Sequence, residues 1–313
     1  MLRSMALDAL RRLALIGVLL AASAVVLAET RNYTVTAPDG VTIAVQESGN
    51  PGGHPVIFIH GLLGSHLNWA AQVSSPELQR YRLITYDLRG HGLSGKPVDA
   101  DAYTDGRRWA DDLAAVIEGS DARDPVLVGW SLGGTVITNY LAAYGDERIA
   151  GALYVGGVIE LHPDQIPPHP EVYRGLSSSD LRTHLDAERA FLALCFHKQP
   201  DIVTFQRLLA NAALASPEMQ TAVHSMTVAA TEGLAAMRKP LLLIYGAHDA
   251  LVRPEPSIAR AVALNPRIRG TVYADSGHAP FLEEADRFNR DLAAFVEETA
   301  RRAPSPDSGQ IVD

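Results

Sequence analysis

Apolar positions along this chain follow two alternating patterns. Tyr33–Thr36 and Val41–Glu47 alternate apolar and polar residues around Pro38-Asp39-Gly40, which predicts a β-hairpin. Pro55–Ile59 is a continuous apolar run, as expected of a strand buried on both faces. Further short runs at Arg82–Tyr86, Val126–Val128, Ile149–Val155, Pro240–Tyr245 and Thr271–Tyr273 predict more strands. Between them lie stretches with helical spacing: Leu67–Leu78, a face made by Trp109, Leu113, Val116 and Ile117, and another by Val136, Ile137, Tyr140 and Leu141. Helices near Pro256–Ala263 and from Glu284 to about Arg301 close the pattern. Strands alternating with helices imply an α/β fold, a mostly parallel β-sheet flanked by helices.

The alternation breaks between residues 158 and 238. Pro163, Pro167, Pro168 and Pro170 mark the entry, and amphipathic stretches at Ala187–Lys198 and Ile202–Leu214 follow. The segment reads as an inserted helical cap over the C-terminal sheet edge, dividing a core made of residues 29–157 and 239–302. Residues 303–313, rich in Pro, Ser, Asp and Gly, read as a disordered tail.

The first 28 residues stand apart from this pattern. Arg3, Arg11 and Arg12 precede the apolar run Leu13–Ala28, and small residues stand before polar Glu29. This is the layout of a secretory signal peptide cleaved before Glu29, giving an exported, periplasmic or secreted protein. The alternative is a membrane anchor formed by residues 13–28. Cleavage removes three arginines and one aspartate, taking the formal net charge from -9 to -11. So acidic a chain is a poor partner for nucleic acid or anionic membrane surfaces, and no segment suggests a protein partner. Cys195 is the single cysteine, which excludes an intramolecular disulfide and a Cys-rich zinc site. No metal-ligand spacing is evident and no cofactor is expected.

The chemistry centres on Val126-Leu127-Val128-Gly129-Trp130-Ser131-Leu132-Gly133-Gly134. A strand runs into Gly-x-Ser-x-Gly and then into a helix, a turn so sharp that glycine is needed two residues either side of the serine. The hydroxyl is thereby lifted clear at a helix N-terminus, where developing negative charge is favoured. Three other landmarks fall at the same sheet edge: His60-Gly61-Leu62, Asp249 in Tyr245-Gly246-Ala247-His248-Asp249, and His278 in Ser276-Gly277-His278-Ala279-Pro280.

With the HG turn, D-x-R-G-x-G-x-S at residues 87–94, G-W-S-L-G-G, Y-G-x-x-D and S-G-H-x-P in this order, the chain resembles the α/β-hydrolase superfamily over about residues 33–300, in its serine-triad, esterase-like branch. The resemblance implies that Ser131 is the nucleophile, His278 the general base and Asp249 the acid that orients it. It implies an oxyanion hole made by the backbone N–H groups of Leu62 and Leu132. Asp275 is a rival acid, but its place in the same turn as His278 suits a local brace. His248 reads as a loop or solvent-facing residue. His60 and His91 read as structural rings bonding backbone, and Asp87 with Arg89 as an ion pair bracing the loop. Ser94 lacks the second glycine of an elbow, and Cys195 reads as a cap core thiol. Trp130, Phe191 and Phe196 are the candidate pocket residues, with Phe205 and Leu208 nearby in the cap.

The implied activity is hydrolysis of carboxylic esters through an acyl-enzyme, with a small-molecule ester as the substrate. A cofactor-free haloperoxidase or perhydrolase activity would use the same triad. A ligand receptor of the same fold is the alternative from another class, and it would show little turnover. Serine at the elbow argues against dehalogenases and epoxide hydrolases, which carry aspartate there.

Overall fold

The structure is a computed structural model and describes residues 30–302. The expected leader (1–28) and tail (303–313) lie outside the described residues. Eight strands form one sheet: β1 (Arg31–Thr36), β2 (Thr42–Gly49), β3 (Pro55–Ile59), β4 (Arg82–Tyr86), β5 (Val126–Trp130), β6 (Gly151–Val155), β7 (Leu241–Gly246) and β8 (Arg269–Tyr273). Their spatial order is β1-β2-β4-β3-β5-β6-β7-β8. The β1–β2 and β2–β4 pairs are antiparallel and the remaining pairs parallel. β5 and β6 are buried along their whole length, which is why they read as unbroken apolar runs.

This order positions the site. β3 is flanked by β4 on one side and β5 on the other. The chains leaving β3 and β5 therefore diverge, opening a crevice at their C-terminal ends where open α/β sheets bind ligands.

Helices cover both faces. α1 (Gly106–Gly119) is capped by Asp105, whose side chain accepts from the Arg107 N–H, and it buries Trp109, Leu113, Val116 and Ile117. Each such aliphatic side chain contributes about 1.5–3 kcal/mol by leaving water. α2 (Leu132–Tyr144) follows the elbow and is buried from Leu132 to Leu141. The helix expected over Leu67–Leu78 is much shorter. A 3-10 turn at His66–Trp69 passes into Ala70–Val73 and ends with Ser74 at the C-cap. Pro76 accounts for this, because the residue before a proline is pushed out of the helical region.

The segment between β6 and β7 supplies α3 (Pro170–Leu176), α4 (Leu181–Leu194), α5 (Ile202–Ala212), α6 (Pro217–Ala222) and α7 (Ala230–Ala236). Asp180 caps α4 through the Thr183 N–H, so this helix starts well before Ala187. α7 returns to the core although its residues fall in the range read as cap. Asn139 of α2 donates to the Thr227 carbonyl at 3.0 Å and accepts from the Ala229 N–H at 2.9 Å. A methyl group at Gly233 would come within 2.3 Å of the Thr138 carbonyl, so α7 and α2 meet backbone to backbone. α8 (Pro254–Leu264) and α9 (Ala285–Arg302) complete the helical layers. No helix among the described residues is long and apolar enough to cross a membrane.

Candidate active site

Ser131 stands between β5 and α2 with φ 53° and ψ -113°, outside the regions a non-glycine residue ordinarily adopts. Such strain persists only where its surroundings impose it. Here the Ser131 N–H donates to the Val155 carbonyl at 3.0 Å, and its own carbonyl accepts from Val158. The flanking glycines are sterically required: a Cβ on Gly129 would lie 2.6 Å from the Gly133 backbone, and one on Gly133 2.4 Å from the Ile59 carbonyl.

His278 follows β8, and Asp249 follows β7. The imidazole Nδ1 lies 2.8 Å from Asp249 Oδ2, with both side chains buried. Asp249 Oδ1 accepts from the N–H groups of Leu251 and Val252, each at 2.8 Å. An ionised carboxylate with three donors around it makes Nδ1 the protonated nitrogen and leaves the lone pair on Nε2. That Nε2 is buried and has no hydrogen-bond partner among the described residues. The structure thus joins His278 to Asp249 and forms no hydrogen bond between His278 and Ser131. Catalytic contacts of this kind are often loose before substrate binds. Asp275 is exposed and forms no part of this arrangement.

Two residues that sequence reasoning did not select hold His278 in place. Gly156, just after β6, has φ 51°, and a Cβ there would lie 2.8 Å from His278 Nδ1. Only glycine admits the ring. Glu283 accepts from the Gly277 N–H at 2.7 Å and from the Lys198 N–H of the cap at 2.8 Å, tying the histidine loop to the end of α4. The paired glycines Gly156-Gly157 after a strand were the available signal for the first. Nothing local marks Glu283.

The expected oxyanion donors lie beside the serine. Leu62 and Leu132 line the same pocket as Ser131, and neither N–H has an acceptor among the described residues. The peptide between Gly61 and Leu62 is oriented from its other end. The Gly61 carbonyl accepts from His60 Nδ1 at 2.7 Å and from the Gly64 N–H at 3.1 Å, while His60 Nε2 accepts from the Leu88 N–H at 2.9 Å. A trans peptide points its N–H away from its carbonyl, so the Leu62 donor is aimed by a buried, neutral histidine. Burial lowers the His60 pKa to about 4. His91 packs edge-on against His60, bonds the Arg89 carbonyl, and is lowered to about 3 by burial.

The expected Asp87–Arg89 ion pair does not form. Alternate residues of the loop face opposite ways. Asp87 accepts from His66 and from the Leu93 N–H, whereas Arg89 makes a bidentate pair with Asp112 of α1 at 2.6 and 2.7 Å and reaches Asp39 at 2.9 Å. Cys195 is buried, which pushes its thiol pKa up, and it caps α4 as a core residue. His248 is exposed and stacks on His197 at 3.7 Å.

A cavity of about 80 Å³ opens on Ser131. Leu62, Leu132 and Thr135 form its core side. Val158, Leu161 and Ile166 come from the strap after β6, Tyr173 and Phe191 from the cap, Val223, His224 and Met226 from the cap's end, and Leu251 and Val252 from the Asp249 turn. Of the three expected pocket residues, only Phe191 lines it. Trp130 is the last residue of β5, and its ring packs against His278 and Phe281 instead. Phe196 lies beyond the end of α4, off the helical face that carries Phe191, where its backbone passes over Gly277.

Residues 54–285 match the family model for the alpha/beta hydrolase fold. The chain belongs to this family. It is 30% identical over 280 residues to a non-heme haloperoxidase of Rhodococcus erythropolis, covering 84% of this chain and 98% of the relative. It is 28% identical to a bifunctional esterase/perhydrolase of Acinetobacter calcoaceticus, with 84% and 98% covered. Among solved structures it is similar to a Burkholderia cenocepacia protein provisionally named an aryl esterase, at 72% identity and a TM-score of 0.86, covering 87% of this chain and all of the other. This alpha/beta hydrolase therefore has both esterases and haloperoxidases among its relatives.

Proposed function

We propose that this alpha/beta hydrolase cleaves carboxylic esters through a covalent acyl-enzyme on Ser131. The observation that carries the reading is the buried His278–Asp249 pair, 2.8 Å apart, at the same sheet edge as a serine held at φ 53°. With Nδ1 protonated and bonded to Asp249, His278 Nε2 takes the Ser131 proton as Oγ attacks the ester carbonyl. The tetrahedral oxyanion is met by the Leu62 and Leu132 N–H groups, each worth about 3 kcal/mol in comparable sites. Collapse expels the alcohol, which receives the proton from His278. A water deprotonated by His278 then releases the acid, and Asp249 stabilises the imidazolium in both halves. Hydrolysis rates on an ester panel of graded acyl length, with Ser131→Ala as the blank, test this reading. Turnover that survives the substitution rejects it.

A second reading is supported by the name of the Acinetobacter relative. Hydrogen peroxide replaces water at deacylation and the product is a peracid, with the same residues in the same roles. Peracid formation from ester and peroxide, lost in Ser131→Ala, is its test. Export with cleavage before Glu29 belongs to the same proposal, and N-terminal sequencing of protein from its native host tests it.

A further inference from the structure

The pocket beside Ser131 is apolar apart from three other side chains: Thr135, Tyr173 and His224. The Thr135 hydroxyl is committed to the Leu132 carbonyl at 2.7 Å. The Tyr173 hydroxyl and both ring nitrogens of His224 form no hydrogen bond among the described residues. The two rings stand edge to face with centroids 4.9 Å apart. Tyr173 is held from the other side by His169, whose own ring bonds the Ala250 carbonyl at 2.7 Å. His224 is exposed as well as pocket-lining, so it stands where the pocket meets solvent. Two polar side chains without partners among the described residues thus line a pocket whose other unpaired polar groups belong to the nucleophile and the oxyanion donors.

We propose that Tyr173 and His224 form a polar subsite that selects small esters carrying a second, uncharged oxygen function, a hydroxyl, ketone or ether oxygen, on the cap side of the pocket. The proposal rests on the ester-hydrolase reading of Ser131. Size follows from the cavity. About 80 Å³ accommodates on the order of five to eight non-hydrogen atoms, if each water-sized group needs ~10–15 Å³, so the acyl or the alcohol part of the ester fits and not both. Charge follows from the lining. Among the described residues no Lys or Arg lines the pocket. The part of the His224 ring packed against the protein is desolvated, which lowers its pKa and disfavours the charged form. Burial, and then the nearby Cys195, raise that of Tyr173, which stays a donor. A carboxylate therefore has no counter-charge here. Sites that bond a substrate hydroxyl can reject the hydrocarbon analogue by about 10⁴–10⁵-fold when sealed. A subsite open to solvent on one side should discriminate by about tenfold.

The test compares matched substrates: methyl 4-oxopentanoate against methyl 4-methylpentanoate, and 4-hydroxyphenyl acetate against 4-methylphenyl acetate. The full chain is expected to prefer the oxygen-bearing member of at least one pair by about tenfold in kcat/KM, expressed in KM. Tyr173→Phe with His224→Phe should erase the preference, bringing the two members of each pair to the same kcat/KM. No preference in either pair, or an equal fall for both members, overturns the proposal. Binding of the two aryl acetates to Ser131→Ala, with and without the two Phe substitutions, reads the subsite independently of turnover. If the unsubstituted chain hydrolyses none of the four esters, the ester-hydrolase reading fails, and this binding comparison alone decides the subsite: tighter binding of the hydroxyl compound, lost in the Phe variants, supports it, and equal binding overturns it.

Discussion

The indole N–H of Trp130 donates to the carbonyl oxygen of His278 at 2.8 Å. The residue preceding the proposed nucleophile thus fixes the backbone of the residue proposed to activate it, from 148 positions away in sequence. Trp130→Phe keeps a ring against Phe281 and leaves a buried carbonyl unpaired, a cost of about 1–3 kcal/mol. We expect kcat to fall roughly tenfold with KM changed less than about threefold, since the substitution loosens the base and not the pocket. A large rise in KM with kcat intact would show that Trp130 contacts substrate.

The fold was legible because buried parallel strands leave apolar runs, and the elbow because its glycines are a steric requirement set by neighbours in sequence. The order of Ser131, Asp249 and His278 along the chain could be read for the same reason: each follows a strand. What depended on side-chain direction could not. Trp130 in the elbow and Phe196 in the cap are aromatic residues at plausible pocket positions, but strand geometry and the end of α4 turn them from the cavity. Arg89 finds Asp112 rather than Asp87 because its partner lies on a helix whose packing no local pattern reveals. Gly156 acts through a contact with a residue 122 positions later, visible only once the sheet is assembled.

The acid of the proposed triad is tested by two substitutions measured side by side. Asp249→Asn removes the charge that stabilises the imidazolium and should lower kcat by at least about a hundredfold; in another fold the same change costs about 10⁴. Asp275 is exposed, and Asp275→Asn should change kcat less than about threefold. Reversed effects would transfer the role to Asp275.

Gly156→Ala should be among the most damaging small changes in the chain. The methyl would meet His278 Nδ1 at 2.8 Å and its carbonyl at 3.0 Å, at a backbone φ of 51°. Strain at such a position costs about 1–3 kcal/mol, and displacement of the ring should cut kcat by about a hundredfold or more. Gly52→Ala, where the nearest atom is the Asn50 side-chain oxygen at 3.6 Å, is the control and should leave activity intact.

Acid should weaken the fold through His60 and His91. Both are buried, with pKa values lowered to about 4 and about 3 from the ordinary 6.5. Below pH 6.5 the unfolded chain binds protons that the folded chain refuses, so the stability held above that pH declines as pH falls toward 4 and then 3. Each histidine contributes about 1.4 kcal/mol per pH unit within its window. Denaturant midpoints at pH 7, 5.5 and 4.5 should fall in that order. In His91→Asn, whose amide can still reach the Arg89 carbonyl, the slope should shrink by about one proton. An unchanged slope would show that His91 is not refused its proton in the folded state.

The most direct test of the central claim is to look for the covalent intermediate itself. The protein is mixed with a slowly deacylating aryl ester, quenched in acid, and analysed by intact mass and then by peptide mapping. The account predicts one added acyl group per chain, located on Ser131, absent in Ser131→Ala and much reduced in Asp249→Asn. An acyl group found on Ser94 or Ser276 instead, or steady ester cleavage in Ser131→Ala, would contradict it.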